Sequence, residues 1–353
     1  MKILHVVSSL NMGGAEQFVV DITAAMNQQS GIQAEILSFG RADDALCQHC
    51  GKHDITVHHL SQAGRLQQLV QLRRLVRRYD AVHIHSSHCV ASLLVSTLFL
   101  SGCRLYYTRH NTVIHRSGKW RLIYRLASIR LSKIVFIAEI ARQDFLQAYP
   151  VFQEKSTLIY NGIRPVRLDP VVKATDRGVI RLGQVGRFVP LKAQKLLIQA
   201  LHRLSPKQRQ GFELHFFGDG PLLDDCRHQA ESLQQDMGIT FHGLEMDKSR
   251  IYQSIDVLVV TSETEGLSLV MLEALSAGCL VIATKVGGNE EIIEHGRSGL
   301  LYHYPKVQEL AQCLTYVLTD ARWRDLALAG NRRFDLMFEQ ERCVSSYLTI
   351  YRS

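Results

Sequence analysis

The chain has 353 residues, 46% of them hydrophobic and only 7 of them proline, which excludes a disordered protein and leaves room for two domains of ordinary size. Its net charge of +8 is lopsided: residues 1–165 hold 19 Lys/Arg against 10 Asp/Glu, residues 166–353 hold 22 against 23, so the first half carries the excess and points to an anionic partner. No run reaches the roughly 18 apolar residues of a membrane span, and eight cysteines in a chain this long do not make a disulfide framework.

Short β-rich runs alternate with helical patterns from end to end. Strands read at 3–8, 34–39, 56–60, 81–85, 104–108, 134–137 and 157–160, with helical stretches such as 14–28, 66–78 and 120–131 between them. The apolar part of the first run is too short for a signal peptide, so it reads as a buried strand and the protein as cytoplasmic. A second series follows at 179–186, 213–218, 240–243, 257–261, 280–284 and 299–302. This alternation predicts an α/β protein of two Rossmann-like domains with parallel sheets, 1–167 and 168–335, joined by a polar, turn-rich linker over 161–178. Open sheets of this kind bind ligands beyond the C-terminal ends of their strands, so the loops there are the candidates for chemistry.

The first such loop holds Gly13 and Gly14, which let a backbone approach a phosphate at a helix start. It is neither a dinucleotide fingerprint nor a P-loop, and an ordinary turn accounts for it equally well. Cys47 and Cys50 form a CxxC with His49 between them, in what reads as a surface loop; no second ligand pair accompanies it, so no metal or redox site is expected there. His83, His85 and His88 end a strand; His85 and His88 have the chemistry of metal ligands, but no acidic residue neighbours them and no metal is expected, and His110 lies just past another strand. Cys89, Cys279 and Cys313 read as small core residues. The segment 119–133 is basic and amphipathic. One reading lays it on an anionic membrane surface; the other turns its Leu/Ile stripe into the core.

In the second half, Gly186 and Arg187 follow a strand, with Lys192 five residues on; two cations across one turn can converge on a diphosphate, or stand apart in solvent. Gly218 to Pro221 end the next strand, as a turn or a helix entry. Gly243 and Leu244 end another, where backbone can meet a flat base or simply turn. The most informative stretch is Glu265-Gly266-Leu267-Ser268, followed by an apolar helix containing Glu273 and stopped by Gly278. A carboxylate inside such a helix costs several kcal/mol unless paired, and a sugar or ribose hydroxyl is a suitable partner. The helix start, with Ser268 as N-cap, offers unpaired N–H groups to a phosphate. These features suggest a nucleotide-sugar site.

In this order, the Gly-Gly-Ala-Glu at 13–16, Asn161-Gly162-Ile163, Gly186-Arg187 with Lys192, Glu265 to Gly278 and Val286-Gly287-Gly288-Asn289-Glu290 resemble the retaining glycosyltransferases of family 4, which have the GT-B fold of two Rossmann-like domains facing a cleft. The resemblance implies that Arg187 and Lys192 neutralise the diphosphate and that Glu273 binds the ribose. Glu265 would contact the donor sugar, with the N–H groups of Gly266, Leu267 and Ser268 near sugar and phosphate. Gly13 and Gly14 would close over the donor, and His110 would stand beside the donor sugar near the reacting carbon. It also implies that a final helix, about 336–353, packs back on the first domain. The donor would be a UDP- or GDP-sugar with no separate cofactor and no metal, in line with the absence of an Asp-x-Asp. The acceptor would be a glycan or lipid-linked precursor of lipopolysaccharide, capsule or exopolysaccharide, met on the inner face of the plasma membrane; nucleic acid is not expected.

The chain departs from the family at Leu267-Ser268, where Phe-Gly is common, at Cys279-Leu280, where proline often follows the glycine, and at Ala138, where serine is usual. None of these removes a charge that the transfer needs. Two other classes remain open, a GT-B-fold sugar-nucleotide epimerase and a non-catalytic nucleotide-sugar binding protein.

Overall fold

The computed structural model describes residues 1–11, 13–60, 64–97, 102–110, 113–166, 168 and 178–353. Of the expected linker over 161–178, residues 167 and 169–177 lie outside the described residues, as do Met12 and Asn111. The chain divides into two units, residues 1–162 with 340–353, and residues 163–339.

The first unit is a seven-stranded sheet in the order β3-β2-β1-β4-β5-β6-β7. Its strands are β1 (Lys2–Val7), β2 (Gln33–Ser38), β3 (Val57–His59), β4 (Ala81–Ile84), β5 (Arg104–Arg109), β6 (Leu131–Phe136) and β7 (Ser156–Leu158). The second is a six-stranded sheet in the order β10-β9-β8-β11-β12-β13. It comprises β8 (Ile180–Val185), β9 (Phe212–Phe217), β10 (Gly238–Phe241), β11 (Val257–Val260), β12 (Leu280–Thr284) and β13 (Leu300–Tyr302). Every pairing is parallel. Parallel strands covered by helices on both faces need apolar residues throughout, and β11 (VLVV) and β12 (LVIAT) are buried at every position. All thirteen strands read from the sequence are present, with ends shifted by a few residues.

Strand order reverses between β1 and β4 in the first unit and between β8 and β11 in the second, which opens a crevice at the C-terminal strand ends of each. The boundary between units falls earlier than the expected 167/168. Ile163 N donates to Phe338 O at 3.0 Å and Val166 N to Ser276 Oγ at 3.0 Å, so the chain is tied into the second unit from Ile163 onward. The last helix begins at Gln340, not 336, and belongs to the first unit. There Tyr347 Oη lies 3.2 Å from Thr108 Oγ1, Tyr106 Oη donates to Ile350 O at 3.0 Å, and Tyr351 hydrogen-bonds His83.

Two local readings are corrected. The CxxC is not on a loop: Cys47 and Cys50 sit in the helix Ala45–Lys52, where burial pushes the Cys50 thiol up to about 11. Burial also raises the Cys47 thiol, so neither residue has the lowered pKa of a redox thiol. The basic helix spans Gly118–Arg130, and Leu131 to Lys133 already belong to β6. Its Leu/Ile stripe is split, with Ile123 packed beside the first core and the other members turned outward. Tyr124, Ala127 and Ser128 take the buried face, while Leu122, Leu126 and Ile129 are 60%, 50% and 77% exposed.

Candidate active site

In the second unit, three loops leave the strand ends at the switch point and are stitched together. Gln184 Nε2, at the end of β8, donates to Thr261 Oγ1 at 2.5 Å, and Thr261 Oγ1 donates to Lys192 O at 2.6 Å. Glu263 N donates to Leu191 O at 2.9 Å, which ties the loop after β11 to the loop after β8. The loop after β12 closes from the other side, with Gly288 N donating to Gly266 O at 2.9 Å. Gly287 has φ +52, and a Cβ built on it would stand 1.9 Å from Glu265 O, so only glycine permits this approach.

This scaffold holds Glu265 nearly buried. Its Oε1 accepts from Lys192 Nζ at 2.6 Å and from Ser262 Oγ at 2.6 Å. Lys192 and Glu265 are therefore brought together, with the lysine ammonium on the carboxylate. Arg187 projects from the same loop as Lys192 with an exposed side chain. Among the described residues no carboxylate lies within ion-pair distance of it, which leaves its guanidinium available to an anion.

Beyond Glu265 the chain turns into the helix Leu269–Ser276. Ser268 holds the N-cap position, as expected, but its side chain makes no capping bond. Its carbonyl accepts from Met271 N and Leu272 N, and among the described residues the N–H groups of Gly266, Leu267, Ser268, Leu269 and Val270 have no acceptor. Such a row of free N–H groups at a positive helix end seats an anion.

Glu273, 8% exposed, lies inside this helix. The expectation that a buried carboxylate needs a partner holds, but the chain supplies it. Lys248 Nζ stands 2.7 Å from Oε1, and Tyr252 Oη donates to Oε2 at 2.8 Å. Burial, with Glu273 next to it, pushes the Tyr252 hydroxyl well above its ordinary pKa, so it stays a donor. The sequence reading missed both residues. They stand four apart on the helix Lys248–Gln253, the spacing that puts a Lys and a Tyr on one helical face, and that was the available signal.

Gly243 and Leu244 follow β10. Gly218 N donates to Gly243 O at 2.7 Å, and a Cβ on Gly218 would stand 2.1 Å from Gly186 O. The loops after β8, β9 and β10 thus touch through their backbones, and Leu244 is left exposed at the rim. Pro221 lies in the turn before the helix Leu223–Ala230, just ahead of its first residue. The larger hollows of this unit lie elsewhere, one of about 960 Å³ beside β13.

The remaining candidates are in the first unit. Gly13 is the N-cap of the helix Gly14–Asn27, but the chain's own Glu16 carboxylate occupies that approach, 2.3 Å from where a Gly13 Cβ would stand. His110 follows β5. Its Nε2 lies 2.9 Å from His85 Nδ1, and its own Nδ1 is buried without a partner among the described residues. Among the histidines after β4, His88 is exposed on the next helix and is no ligand partner for His85. Instead His5, His83 and His85 place one ring nitrogen each within 4.8 Å of one another. They are already hydrogen-bonded without a metal: His83 to Tyr351 and to Thr108 Oγ1 at 2.7 Å, and His5 Nδ1 to His85 Nε2 at 2.9 Å.

Known proteins match the chain over 74–100% of its length. HepE from Anabaena, solved with UDP and glucose, superposes over 100% of both chains with a TM-score of 0.85 at 22% identity, which establishes the shared GT-B fold. A GDP-mannose-dependent phosphatidylinositol monomannoside mannosyltransferase of Mycobacterium tuberculosis is 28% identical over 74% of this chain and 72% of its own. An N-acetyl-α-D-glucosaminyl L-malate synthase of Bacillus anthracis is 22% identical over 85% and 83%. The family model for glycosyl transferases group 1 matches residues 169–329 and that for glycosyltransferase family 4 matches residues 12–167, so the chain is a glycosyltransferase and belongs to family 4.

Proposed function

We propose that the protein is a retaining transferase that moves a hexose from a UDP- or GDP-sugar to a glycan or lipid-linked acceptor in cell-surface polysaccharide assembly. The observation that carries this reading is the grouping in the second unit: Lys192 on Glu265, the exposed Arg187 on the same loop, and five N–H groups at 266–270 without an acceptor among the described residues. Breaking the bond between sugar C1 and phosphate places negative charge on the departing diphosphate. Arg187, Lys192 and the amide row stabilise that charge as it grows, each cation by about 2–4 kcal/mol. Glu265 hydrogen-bonds the sugar hydroxyls, Glu273 takes the ribose in exchange for part of its hold on Lys248, and Gly243 and Leu244 border the base. Gly13, Gly14 and His110 are the candidates for substrate contact from the first unit. With Glu16 on its helix start, Gly13 meets the ligand through backbone and not as a phosphate seat.

The lipid-linked acceptor is supported by the helix Gly118–Arg130. Its outward face combines Leu122, Leu126 and Ile129 with Lys119, Arg121 and Arg125 and carries no acid, the composition of a helix that lies on an anionic bilayer. Among the described residues no helix is long and apolar enough to cross a membrane.

A thermal-shift series of UDP-, GDP- and ADP-sugars tests the reading first, since a donor at a hundred times its Kd stabilises the folded state by about 2.7 kcal/mol. The donor that shifts the melt is then supplied with a lipid-extract acceptor, and the anomeric configuration of the product is read by NMR. Inversion of that configuration, or no shift with any of the three donors, overturns it.

A further inference from the structure

The proposed transfer leaves the histidines of the first unit unexplained apart from His110. Residues alternate faces along a strand, and in register β1, β4 and β5 bring His5 opposite His83 and His83 opposite Tyr106. His85, two residues past His83, and His110, four past Tyr106, keep the same alternation just beyond the last residues of β4 and β5. Side by side, these positions make a continuous row. His5 Nδ1 lies 2.9 Å from His85 Nε2, and His85 Nδ1 lies 2.9 Å from His110 Nε2. The His85 and His110 rings stack with centroids 5.2 Å apart. Each terminal nitrogen of the row, His5 Nε2 and His110 Nδ1, is buried with no partner among the described residues.

Both links join an Nδ1 to an Nε2, which constrains where the protons are. A neutral imidazole has one N–H and one bare nitrogen. Each link needs one of each, so if His85 donates through Nδ1, its Nε2 must accept and His5 must donate through Nδ1; His110, accepting at Nε2, then carries its own proton on Nδ1. The opposite choice at His85 puts all three protons on Nε2. The row is neutral because burial pushes His5 down to about 3 and His110 to about 4.

We infer that His85, with His5 behind it, is a positioning residue that sets the ring orientation and tautomer of His110, so that the three imidazoles share one tautomeric form and His110 meets its ligand through Nδ1 as either donor or acceptor according to that form. A charged His85 would donate to both neighbours and leave His5 and His110 in different forms, so the shared form holds while the row is neutral. A side chain two rings away from His110 therefore decides what His110 offers. The activity arm of the test rests on the proposed transfer reaction; the spectroscopic arm stands without it.

The test uses the full chain labelled with ¹⁵N-histidine, with the tautomer of each ring assigned by long-range proton–nitrogen correlation. His5, His85 and His110 are expected in one form, all Nδ1–H or all Nε2–H. A mixture of forms among the three in the wild-type protein overturns the inference, whatever the enzyme's substrate. In His5→Phe, which keeps ring volume and does not touch His110, the His110 tautomer ratio is expected to change. Turnover is expected to fall about 10–100-fold, as when an outer partner of a functional imidazole is lost, with donor KM within about twofold. His5→Gln restores one hydrogen bond to His85 and is expected to recover part of the loss. An unchanged His110 tautomer and unchanged kcat in a folded His5→Phe protein would remove the positioning role. If His5→Phe does not fold, the wild-type spectrum and His5→Gln decide alone. Absence of transfer by the wild type under every donor would count against the proposed function and leave the tautomer result standing.

Discussion

At the scale of single residues, the second-unit site is a set of reciprocal constraints. Lys192 is placed by Glu265, Glu265 by Ser262, and the Glu265 carbonyl leaves room opposite it only for a glycine at 287. Gly287→Ala should lower the melting temperature, because a left-handed backbone costs an L-residue about 1–2 kcal/mol and the Cβ must displace the Glu265 backbone; it should also weaken donor affinity, read by calorimetric titration. An unchanged melt would mean that the loop after β12 is not held against Glu265. Lys192→Ala and Arg187→Ala should each lose about 2–4 kcal/mol in kcat/KM, and either one retaining full turnover would argue against their role on the diphosphate. Tyr252→Phe leaves one oxygen of a buried carboxylate short of a donor and should cost about 1–3 kcal/mol of stability, measured by denaturant unfolding. The carboxylates at 265 and 273 were legible from their places in the sequence. The partners of Glu273 were not, because the i,i+4 spacing puts Lys248 and Tyr252 on one helical face but nothing local says that this face packs against the 269–276 helix.

Elements carry a different kind of information. A strand buried on both faces announces itself by its run of apolar residues, as β11 and β12 do, while the half-exposed β3, β7 and β10 show only as short β-rich runs between turns. Faces of helices are harder. The helix Gly118–Arg130 has a Leu/Ile stripe that reads equally well as inward or outward. What settled it is that Tyr124, Ala127 and Ser128 fill the contact with the first core, leaving Leu122, Leu126 and Ile129 outside. Leu122→Glu combined with Ile129→Glu should abolish retention on anionic liposomes in low-salt flotation. Each exposed substitution should leave stability within about 0.5 kcal/mol. Undiminished flotation would show that membrane contact, if any, uses another surface.

For the whole molecule, the row of histidines concentrates acid sensitivity in the first unit, beyond the burial that also lowers His215 and His242 in the second. His5 and His110 titrate near 3 and 4 in the folded protein and at 6.5 unfolded, and burial holds His83 and His85 well below 6.5 as well. Folded pKa values are thus lower than unfolded ones, so the unfolded chain binds more protons. Their full contribution is present above about pH 6.5 and is lost as pH falls from there toward 4, by up to about 1.4 kcal/mol per pH unit for each group. Calorimetry between pH 7 and 4.5 should show a transition that moves down steeply with acid. His5→Phe should flatten that dependence; an identical slope would mean that His5 is not held neutral in the fold.

The order of apolar runs and turns by itself determined the two parallel α/β units, because strand and helix periods are local and a buried parallel strand has a distinctive composition. It also determined where the carboxylates and cations would stand relative to strand ends, since a loop after a parallel strand has only one end of the sheet to occupy. The tertiary structure alone decided which groups meet. The row from His5 through His85 to His110 exists because β1, β4 and β5 are neighbours in one register, a relation between segments up to a hundred residues apart. The same holds for the last helix returning to Tyr106 and Thr108, and for Lys248 on Glu273. Contacts between distant residues are fixed by packing, and packing leaves no periodic trace in the chain.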